Sequence, residues 1–375
     1  MKSHKLSCHA NNTPMKIAIS AAEVSGDLIG SKLVSALQAQ DNNIQIQGLV
    51  GDKMLEAGCT QLWDQKRVNV MGFSEVLKKL PALLRLRSTI IRYFSTNKPD
   101  VFIGVDSPDF NFVIEKKLKQ RGVKTLHFIS PSVWAWRQSR IKKIKKSTDL
   151  VLCLFPFEVD FYQQHNQRAV FVGHPLAETL QPRINYQSSK NILLMPGSRE
   201  SEITKLLPEM LTAAALMTEQ DPELKFHLAL ANDELLAWVT PLAKTANVRI
   251  STSDAHQRAV QSDLVLVASG TAALELALLG VPMVVVYKLS AFSYFIASRL
   301  VKIKHISLPN IIANKNLVPE LIQDDANGEN IAKHALEILN SDTTILTQAF
   351  KNIHQQLNLN ASEESARIIR EFVNE

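Results

Sequence analysis

Several turns of this 375-residue chain place acidic, hydroxyl or small residues directly after a short apolar run. In one of them, "GVDSPDFN", Asp106 follows the apolar run 101–105. A carboxylate just beyond the end of a buried strand is a candidate general base, because it can take a proton from an attacking hydroxyl. Asp109 competes for this role, and the structural alternative is that Asp106 only caps the turn.

Two further turns have the composition of phosphate-binding corners. In "MPGSRESEI", Ser198 and Arg199 come before a helix pattern, and an arginine can bind two phosphate oxygens at once. In "VASGTAALELALLGVP", Ser269, Gly270 and Thr271 open a helix, whose N-terminus favours an anion. Both turns lie in the same half of the chain, which predicts a nucleoside diphosphate there.

An acidic residue accompanies each of these corners. Glu275 lies four residues after Thr271 on the same helix face, where its carboxylate can accept both hydroxyls of a ribose. Glu202 instead suits a capping box with Ser198 or Arg199, so a purely structural role for that corner stays open. No DxD motif occurs, so we expect neither a metal site nor a cofactor.

The first turn, "AAEVSGDLIG", presents Glu23, Ser25, Gly26 and Asp27 ahead of a helix. Free backbone N–H groups and a positive helix end would again suit an anion. The turn is not a GxGxxG fingerprint, and capping by Ser25 or Asp27 is an equally good explanation. His174, in "GHPL", is interpreted as structural.

Strands and helices must alternate to bring these turns together. Short apolar runs typical of buried parallel strands recur along the chain, at 16–21, 44–50, 101–105, 125–129, 150–154, 192–195, 225–229, 264–267 and 283–286. Helix patterns separate them, which predicts an α/β fold with two doubly wound parallel sheets. The predicted segments are a disordered tail over 1–14, domains over 15–180 and 191–341 joined by a polar linker, and C-terminal helices over 342–375.

The composition narrows the choice of partner without deciding it. A net charge of +6 suits an anionic substrate, an anionic membrane surface or nucleic acid. The three cysteines have no metal-ligand spacing and indicate reduced thiols of a cytosolic protein. No apolar run is long enough for a membrane-spanning helix, and no secretory signal follows Met1.

Three basic segments contain apolar or aromatic residues. In "PSVWAWRQSRIKKIKK", two tryptophans precede six basic residues, namely Arg137, Arg140, Lys142, Lys143, Lys145 and Lys146. "EVLKKLPALLRLRSTIIRYF" and "LSAFSYFIASRLVKIKHISL" resemble basic amphipathic helices. Such helices favour an anionic membrane surface, and the alternative is a core helix with a solvated basic face.

Taken in order, these blocks resemble the lipid-A-disaccharide synthase family, glycosyltransferase family 19. The resemblance runs from Met15 to Leu321 and includes "AEVSGD", "GVDSPDFN", "PSVWAWR", "VGHPL", "LMPGSRESEI", "ASGTAALELALLGVPMVVVYK" and "LPNIIA". One position departs from the family, because Ala22 stands where a glycine is usual. If that position needed a positive φ, alanine would strain it.

The resemblance implies a GT-B fold, in which two Rossmann-like domains face a cleft. It implies an inverting transfer between UDP-2,3-diacylglucosamine and 2,3-diacylglucosamine 1-phosphate (lipid X), giving a β(1→6) lipid A disaccharide and UDP. Asp106 would be the base, and the two phosphate corners, Glu275 and Asn310 would hold the donor. The first-turn residues and Arg137 would face the acceptor.

The same resemblance implies peripheral attachment to the cytoplasmic face of the inner membrane, and no nucleic-acid partner. The sequence leaves the oligomeric state open, with a homodimer among the options. Two alternatives remain, a UDP-N-acetylglucosamine 2-epimerase-like enzyme and a nucleic-acid binder on an α/β scaffold. The epimerase does not need the basic apolar helices, and its signature blocks are not those of this chain. The nucleic-acid binder would explain the basic run after Trp136, but not the phosphate corners and the carboxylate at strand ends in the two halves.

Overall fold

The computed structural model describes residues 14–68, 73–136, 138–184, 186–231, 233–245, 248–252, 254–290, 294 and 304–375, apart from the side chains of residues 73–79, 244 and 245. Its contacts divide the chain into two compact units. The N-terminal unit contains the described residues up to Trp134, Gln138–Val172 and Asn360–Glu375. The C-terminal unit contains Gly173–Leu359 together with the short stretch at Ala135.

The N-terminal unit is built on a parallel sheet of seven strands in the order β3-β2-β1-β4-β5-β6-β7. The strands are β1 (Met15–Ala21), β2 (Ile44–Val50), β3 (Thr60–Asp64), β4 (Val101–Val105), β5 (Lys124–Phe128), β6 (Leu150–Cys153) and β7 (Ala169–Phe171). The chain order reverses between β1 and β4, where Ile17 pairs with Val101 and Ala21 with Val105. Ligands of doubly wound sheets bind beyond the strand ends at such a switch point.

Helices cover both faces of this sheet because its strands are apolar on both sides. They are α1 (Val24–Gln40), α2 (Asp52–Glu56), α3 (Phe73–Thr96), α4 (Pro108–Lys119), α5 (Ile141–Ser147) and α6 (Pro156–Gln164). The last helix of the chain packs here too, with Ile369 and Phe372 in the same buried cluster as Ile17 and Leu33.

The C-terminal unit repeats the architecture with a parallel sheet in the order β10-β9-β8-β11-β12-β13. Its strands are β8 (Asn191–Met195), β9 (Lys225–Ala229), β10 (Arg249–Ser251), β11 (Leu264–Ala268), β12 (Met283–Tyr287) and β13 (Glu320–Ile322). The switch point lies between β8 and β11, where Leu193 pairs with Val265.

The helices of the C-terminal unit are α7 (Pro175–Thr179), α8 (Glu200–Gln220), α9 (Leu236–Thr245), α10 (Ala255–Val260), α11 (Thr271–Leu278), α12 (Leu308–Ala313), α13 (Gly328–Leu339) and α14 (Thr344–Leu357). The final helix, α15 (Ala361–Asn374), belongs to the N-terminal unit. The predicted C-terminal helices are therefore shared between the two units.

The polar segment predicted as a linker packs against the C-terminal unit. The Arg183 guanidinium stacks 3.8 Å from the Tyr186 ring and donates a 2.6 Å hydrogen bond to the Ser262 carbonyl. The Ser189 backbone N–H donates to Asp263 at 3.1 Å. The contacts place the boundary between the units at 172–173, ahead of that segment.

Candidate active site

The predicted base lies at the switch point of the N-terminal sheet. Asp106 follows β4 with a φ of 50° and Ser107 follows with a φ of 44°, so two consecutive non-glycine residues adopt the left-handed conformation. Such a conformation is strained and concentrates at functional sites. The Asp106 side chain is half-buried, and no described residue hydrogen-bonds its carboxylate.

The carboxylate of Asp109, the other candidate base, is bound by basic side chains. Asp109 accepts two hydrogen bonds from one nitrogen of the Arg140 guanidinium, at 2.8 and 3.0 Å, and Lys143 lies 3.7 Å away. Both oxygens of this carboxylate therefore have a basic partner within the protein. The geometry therefore favours Asp106 over Asp109.

The first turn contributes two kinds of residue. Glu23 and Ser25 are exposed beside the Asp106 turn, and Ser107 Oγ donates a 2.9 Å hydrogen bond to Glu23 Oε1. Gly26 is buried, and an added Cβ would lie 3.4 Å from the Val105 carbonyl oxygen. This is an ordinary contact distance, so α1 packs against the end of β4 at Gly26.

Asp27 has a structural environment. It is buried, and its carboxylate accepts hydrogen bonds from the backbone N–H groups of Gly51, Lys53 and Met54 at 2.8, 2.9 and 3.2 Å. These groups belong to the start of α2, so Asp27 anchors that helix. Both of its oxygens are used within the protein, whereas Glu23 accepts one side-chain hydrogen bond, from Ser107, and is exposed.

The departure at Ala22 does not strain the loop. Ala22 is buried, and it is not among the non-glycine residues that adopt a positive φ. The backbone strain that would follow from a positive φ at Ala22 is therefore absent.

In the C-terminal unit the two phosphate corners line one cavity of about 440 Å³. Its walls include Ser198, Arg199, Ser269, Gly270 and Thr271. The two corners follow β8 and β11, which flank the switch point of this sheet. The cavity size is within the range of small-molecule sites.

The first corner is held by a carboxylate. Glu202 Oε2 accepts the Ser198 backbone N–H at 3.3 Å, and Glu202 Oε1 accepts from the Arg199 guanidinium at 3.2 Å. Gly197 has a φ of 116°, and a Cβ there would lie 2.5 Å from Glu202 Oε2. Glu202 therefore occupies N–H donors that a phosphate would use, while the capping box considered from the sequence does not form, since the N-cap residue Arg199 has no side-chain cap hydrogen bond.

The second corner leaves room for a ligand. A Cβ built on Gly270 meets no atom within 4 Å, and Thr271 is exposed at the start of α11. Ser269 is partly engaged, since its Oγ donates a 3.4 Å hydrogen bond to the Ile306 carbonyl. The free side of this turn is the backbone at Gly270 and the hydroxyl of Thr271.

The candidate ribose residue has a partner that the sequence did not reveal. Glu275 Oε2 lies 2.7 Å from His256 Nε2, on the neighbouring helix α10. His256 gave no motif, and only the fold brings it to Glu275. The pair sets the direction of the Glu275 carboxylate.

The Asn310 side chain is fully buried and hydrogen-bonded within the protein. Its side-chain oxygen accepts from the Leu317 and Val318 N–H groups, and its nitrogen donates to the Val318 carbonyl and to Glu320 at 2.9 Å. This network fixes the loop before β13. Direct donor contact is therefore not supported by its geometry, and "LPNIIA" forms the short helix α12.

The described basic residues that follow the tryptophans lie on, or just before, the packed helix α5. Ile141 and Ile144 of α5 are buried, while the lysines of the helix are exposed. The Lys145 ammonium donates to the His165 carbonyl at 2.8 Å. Arg140 is bound to Asp109, so it is not a free cation, and Arg137 lies outside the described residues.

The buried carboxyl group of Glu158 holds the loop with the tryptophans. Glu158 Oε1 accepts the Trp134 Nε1–H at 3.2 Å, and Glu158 Oε2 accepts the Leu154 and Phe155 N–H groups, each at 3.1 Å. Burial raises the pKa of Glu158 to about 8. Trp134 is thus a packing residue, and no sequence motif indicated Glu158 as its partner.

His174 has the structural role expected of it. Its Nδ1 accepts the Leu176 N–H at 3.1 Å and so caps α7. Burial lowers the pKa of His174 to about 4, so the ring is neutral near pH 7 and can act as this acceptor.

The two other basic segments differ in how much of them is described. Helix α3 contains the first, with Leu80 and Leu84 exposed at 42% and 45%. Most of the second, 291–293 and 295–303, lies outside the described residues. Over the part of the chain that the structure covers, no helix is long and apolar enough to span a membrane.

Solved structures share this fold at low identity. A Staphylococcus aureus MnaA–UDP structure superimposes with a TM-score of 0.66 and 14% identity, covering 96% of this chain and 97% of that one. Acinetobacter baumannii MurG gives a TM-score of 0.57 and 16% identity, covering 96% and 99%. At such identities the likeness establishes the fold alone, and two parallel α/β units of this kind define a GT-B protein, as predicted.

The sequence itself gives the family. Residues 17–372 match the family described as LpxB, lipid-A-disaccharide synthetase. The lipid-A-disaccharide synthase of Actinobacillus pleuropneumoniae serotype 5b is 40% identical over 373 residues, covering 94% of this chain and 95% of that protein. That of Colwellia psychrerythraea is 42% identical over 366 residues, covering 94% and 93%.

The chain belongs to the lipid-A-disaccharide synthetase family. The resemblance drawn from the sequence blocks is confirmed, and so is the prediction of a glycosyltransferase of lipid A biosynthesis that uses a nucleotide sugar. The epimerase alternative shares only the fold, as the Neisseria meningitidis UDP-GlcNAc 2-epimerase structure shows at 13% identity and a TM-score of 0.64.

Proposed function

We propose that the chain transfers the sugar of UDP-2,3-diacylglucosamine to the 6-hydroxyl of 2,3-diacylglucosamine 1-phosphate, with inversion. The acceptor oxygen bonds to C1 of the donor sugar while the bond from C1 to the diphosphate oxygen breaks. The hydroxyl proton passes to a carboxylate, and the electron pair of the broken bond leaves with UDP. The products are the β(1→6) disaccharide 1-phosphate and UDP.

Asp106 is the base of this reaction. The observation that carries the assignment is its position at the switch point, in a left-handed turn, with a carboxylate that no described residue occupies. Asp109, three residues on, accepts hydrogen bonds from Arg140 on both of its oxygens. Glu23 and Ser25, both exposed beside the same turn, contact the acceptor, and Gly26 packs behind them against Val105.

The C-terminal unit holds UDP. Arg199, the backbone at Gly270 and the Thr271 hydroxyl surround one cavity and stabilise the charge that develops on the leaving diphosphate. Glu275, directed by His256, accepts the ribose hydroxyls. Ser198 and Ser269 contribute to the two corners, whereas the environments of Asp27 and Asn310 give them supporting roles.

An anionic membrane surface supplies the acylated substrates. Helix α3 exposes Leu80 and Leu84, which are four residues apart, and Arg92, which lies eight residues after Leu84. Apolar and basic side chains on one helix face suit lipid headgroups. The exposed lysines of α5 add charge, and Arg137 is assigned to the acceptor phosphate. The site of action is the cytoplasmic face of the inner membrane, and a homodimer is compatible with this role.

The membrane proposal is tested with vesicles. Wild-type protein should sediment with phosphatidylglycerol vesicles and remain free of phosphatidylcholine vesicles. Leu84→Ser with Arg92→Ser should weaken binding to the anionic vesicles. Equal sedimentation of wild type with both vesicle types would contradict an anionic surface as the partner.

The reaction is tested by product analysis. Purified protein in detergent is incubated with both acylated sugars, and mass spectrometry should find the disaccharide and UDP in equal amounts. UDP-N-acetylglucosamine alone should remain unchanged, whereas its 2-epimer would indicate the epimerase. Tight, salt-sensitive oligonucleotide binding without any disaccharide would instead indicate the nucleic-acid binder.

A further inference from the structure

The Asp106 turn rests on a buried amide. Asn111, on the first turns of α4, is 0% exposed. Its Nδ2 lies 2.8 Å from the Asp106 carbonyl oxygen and 3.2 Å from the carbonyl oxygens of Ser20 and Val105. Its Oδ1 accepts the Ser20 hydroxyl at 2.8 Å. Three carbonyls face the nitrogen and a hydroxyl faces the oxygen, which fixes the orientation of the amide.

These contacts join the two strands at the switch point. Ser20 belongs to β1 and Val105 ends β4. Asp106 and Ser107 follow in left-handed conformations, each of which costs about 1–3 kcal/mol and persists only where the surroundings hold it. The Asn111 amide binds the backbone on both sides of the entry to this turn. It thereby replaces hydrogen bonds that the strands lose where they end.

We propose that Asn111 is a positioning residue for the reaction, holding the Asp106 carboxylate at the place where it receives the acceptor proton. The inference rests on the proposed role of Asp106 as the base. Asn111 is buried and touches no substrate, so it acts only through the backbone of Asp106. The rate of a reaction falls about 10²-fold when a catalytic group such as a general base is displaced by roughly 1 Å. Loss of the Asn111 amide should therefore be visible as a lower kcat.

The test is a double-mutant cycle with Asp106. Asn111→Ala should lower kcat about 10- to 100-fold, with little change in the KM for the donor. Asn111→Ala added to Asp106→Asn should change kcat less than about twofold, because the base it positions is already gone. UDP affinity by calorimetry should stay at the wild-type value, since the donor cavity belongs to the C-terminal unit.

A matched control separates positioning from stability. Thr148 is also 0% exposed in the N-terminal unit, and its hydroxyl contacts the carbonyls of Thr125 and Leu150 at 3.2 and 3.0 Å. Thr148→Val should lower the melting temperature and leave kcat unchanged. Ser20→Ala removes only the hydroxyl that orients the amide. If Asn111→Ala does not fold, Ser20→Ala should still show a smaller loss of kcat that vanishes in the Asp106→Asn background.

The outcomes distinguish the two claims. Suppose that Asn111→Ala, or Ser20→Ala in its place, lowers kcat by the same factor in the wild-type and the Asp106→Asn backgrounds. The inference about Asn111 is then wrong, while Asp106 keeps its role as the base. Unchanged kcat in the variant tested would overturn the inference in the same way. If Asp106→Asn alone turns over at the wild-type rate, the proposed function of Asp106 fails first.

Discussion

The hydroxyl of Ser107 donates a 2.9 Å hydrogen bond to the Glu23 carboxylate, across 84 residues of sequence. Glu23 precedes α1 and Ser107 precedes α4, so the bond joins the turns beyond β1 and β4. Asp106 lies next to Ser107, and Ser25 lies two residues from Glu23. The bond therefore ties the candidate base to the candidate acceptor residues in one group.

Removing this bond should loosen the group without unfolding it. Ser107→Ala should cost about 0.5–1.5 kcal/mol of unfolding free energy and lower kcat/KM for the acceptor several-fold. Urea denaturation and steady-state kinetics measure the two effects. Ser31→Ala is the control, because that hydroxyl donates only to the Leu28 carbonyl within α1. A wild-type kcat/KM for Ser107→Ala would show that the bond has no part in acceptor use.

Replacing Glu202 should change UDP affinity. Its carboxylate holds the Ser198 N–H and the Arg199 guanidinium, the groups that the diphosphate is proposed to use. Glu202→Gln keeps the shape and removes a negative charge from the site. An exposed ion pair is worth up to about 1 kcal/mol, so UDP should bind up to about fivefold tighter in calorimetry. Weaker binding would mean that Glu202 orients Arg199 for the phosphate instead of competing with it.

Two glycines should respond oppositely to alanine. At Gly270 an added Cβ meets nothing within 4 Å, so Gly270→Ala should keep the melting temperature and weaken UDP binding, because the methyl group enters the phosphate corner. At Gly104 the Cβ would lie 2.1 Å from Glu115 Oε1, so Gly104→Ala should cost about 1–3 kcal/mol of stability. Calorimetry and thermal denaturation separate the two cases. Wild-type UDP affinity in Gly270→Ala would contradict the assigned corner.

The buried Glu158 should make stability depend on pH. Burial raises its folded pKa from 4.5 to about 8, so between these values the folded protein holds a proton that the unfolded chain releases. Stability contributed by this group is therefore full below about pH 4.5 and is lost as the pH rises towards about 8. In Glu158→Gln the free energy of unfolding should fall less steeply between pH 5 and 8. The exposed Glu363→Gln is the control, and an unchanged slope in Glu158→Gln would count against the buried proton.

The central strands were predictable from the sequence and the edge strands were not. All nine apolar runs become strands, and β1, β4, β8 and β11 place the motifs at the two switch points. The four strands that gave no signal, β3, β7, β10 and β13, are the four edges of the two sheets. Edge strands are only half-buried here and three of them have three residues, so they carry no apolar run.

Site residues were predictable from the sequence where their residue type directly follows a strand. The role of a residue was not predictable where its burial in the fold decides that role. Asp106, Arg199 and Thr271 lie where their motifs placed them. Asp27 and Asn310 stood in similar motifs, but the fold buries both and uses their polar atoms. Asn111 was visible at the end of "GVDSPDFN", yet its contact with Ser20 spans 91 residues and needs the fold. His256 carries no sequence signal.

The most direct measurement compares Asp106→Asn with Asp109→Asn in the disaccharide assay. Both changes remove one carboxylate charge and keep the side-chain shape, and the two residues lie three apart in one turn. Asp106→Asn should lose about 10²–10⁴-fold in kcat, the usual contribution of a general base, while Asp109→Asn stays within a few-fold of wild type. Wild-type turnover in Asp106→Asn, or the larger loss in Asp109→Asn, would contradict the assignment of the base.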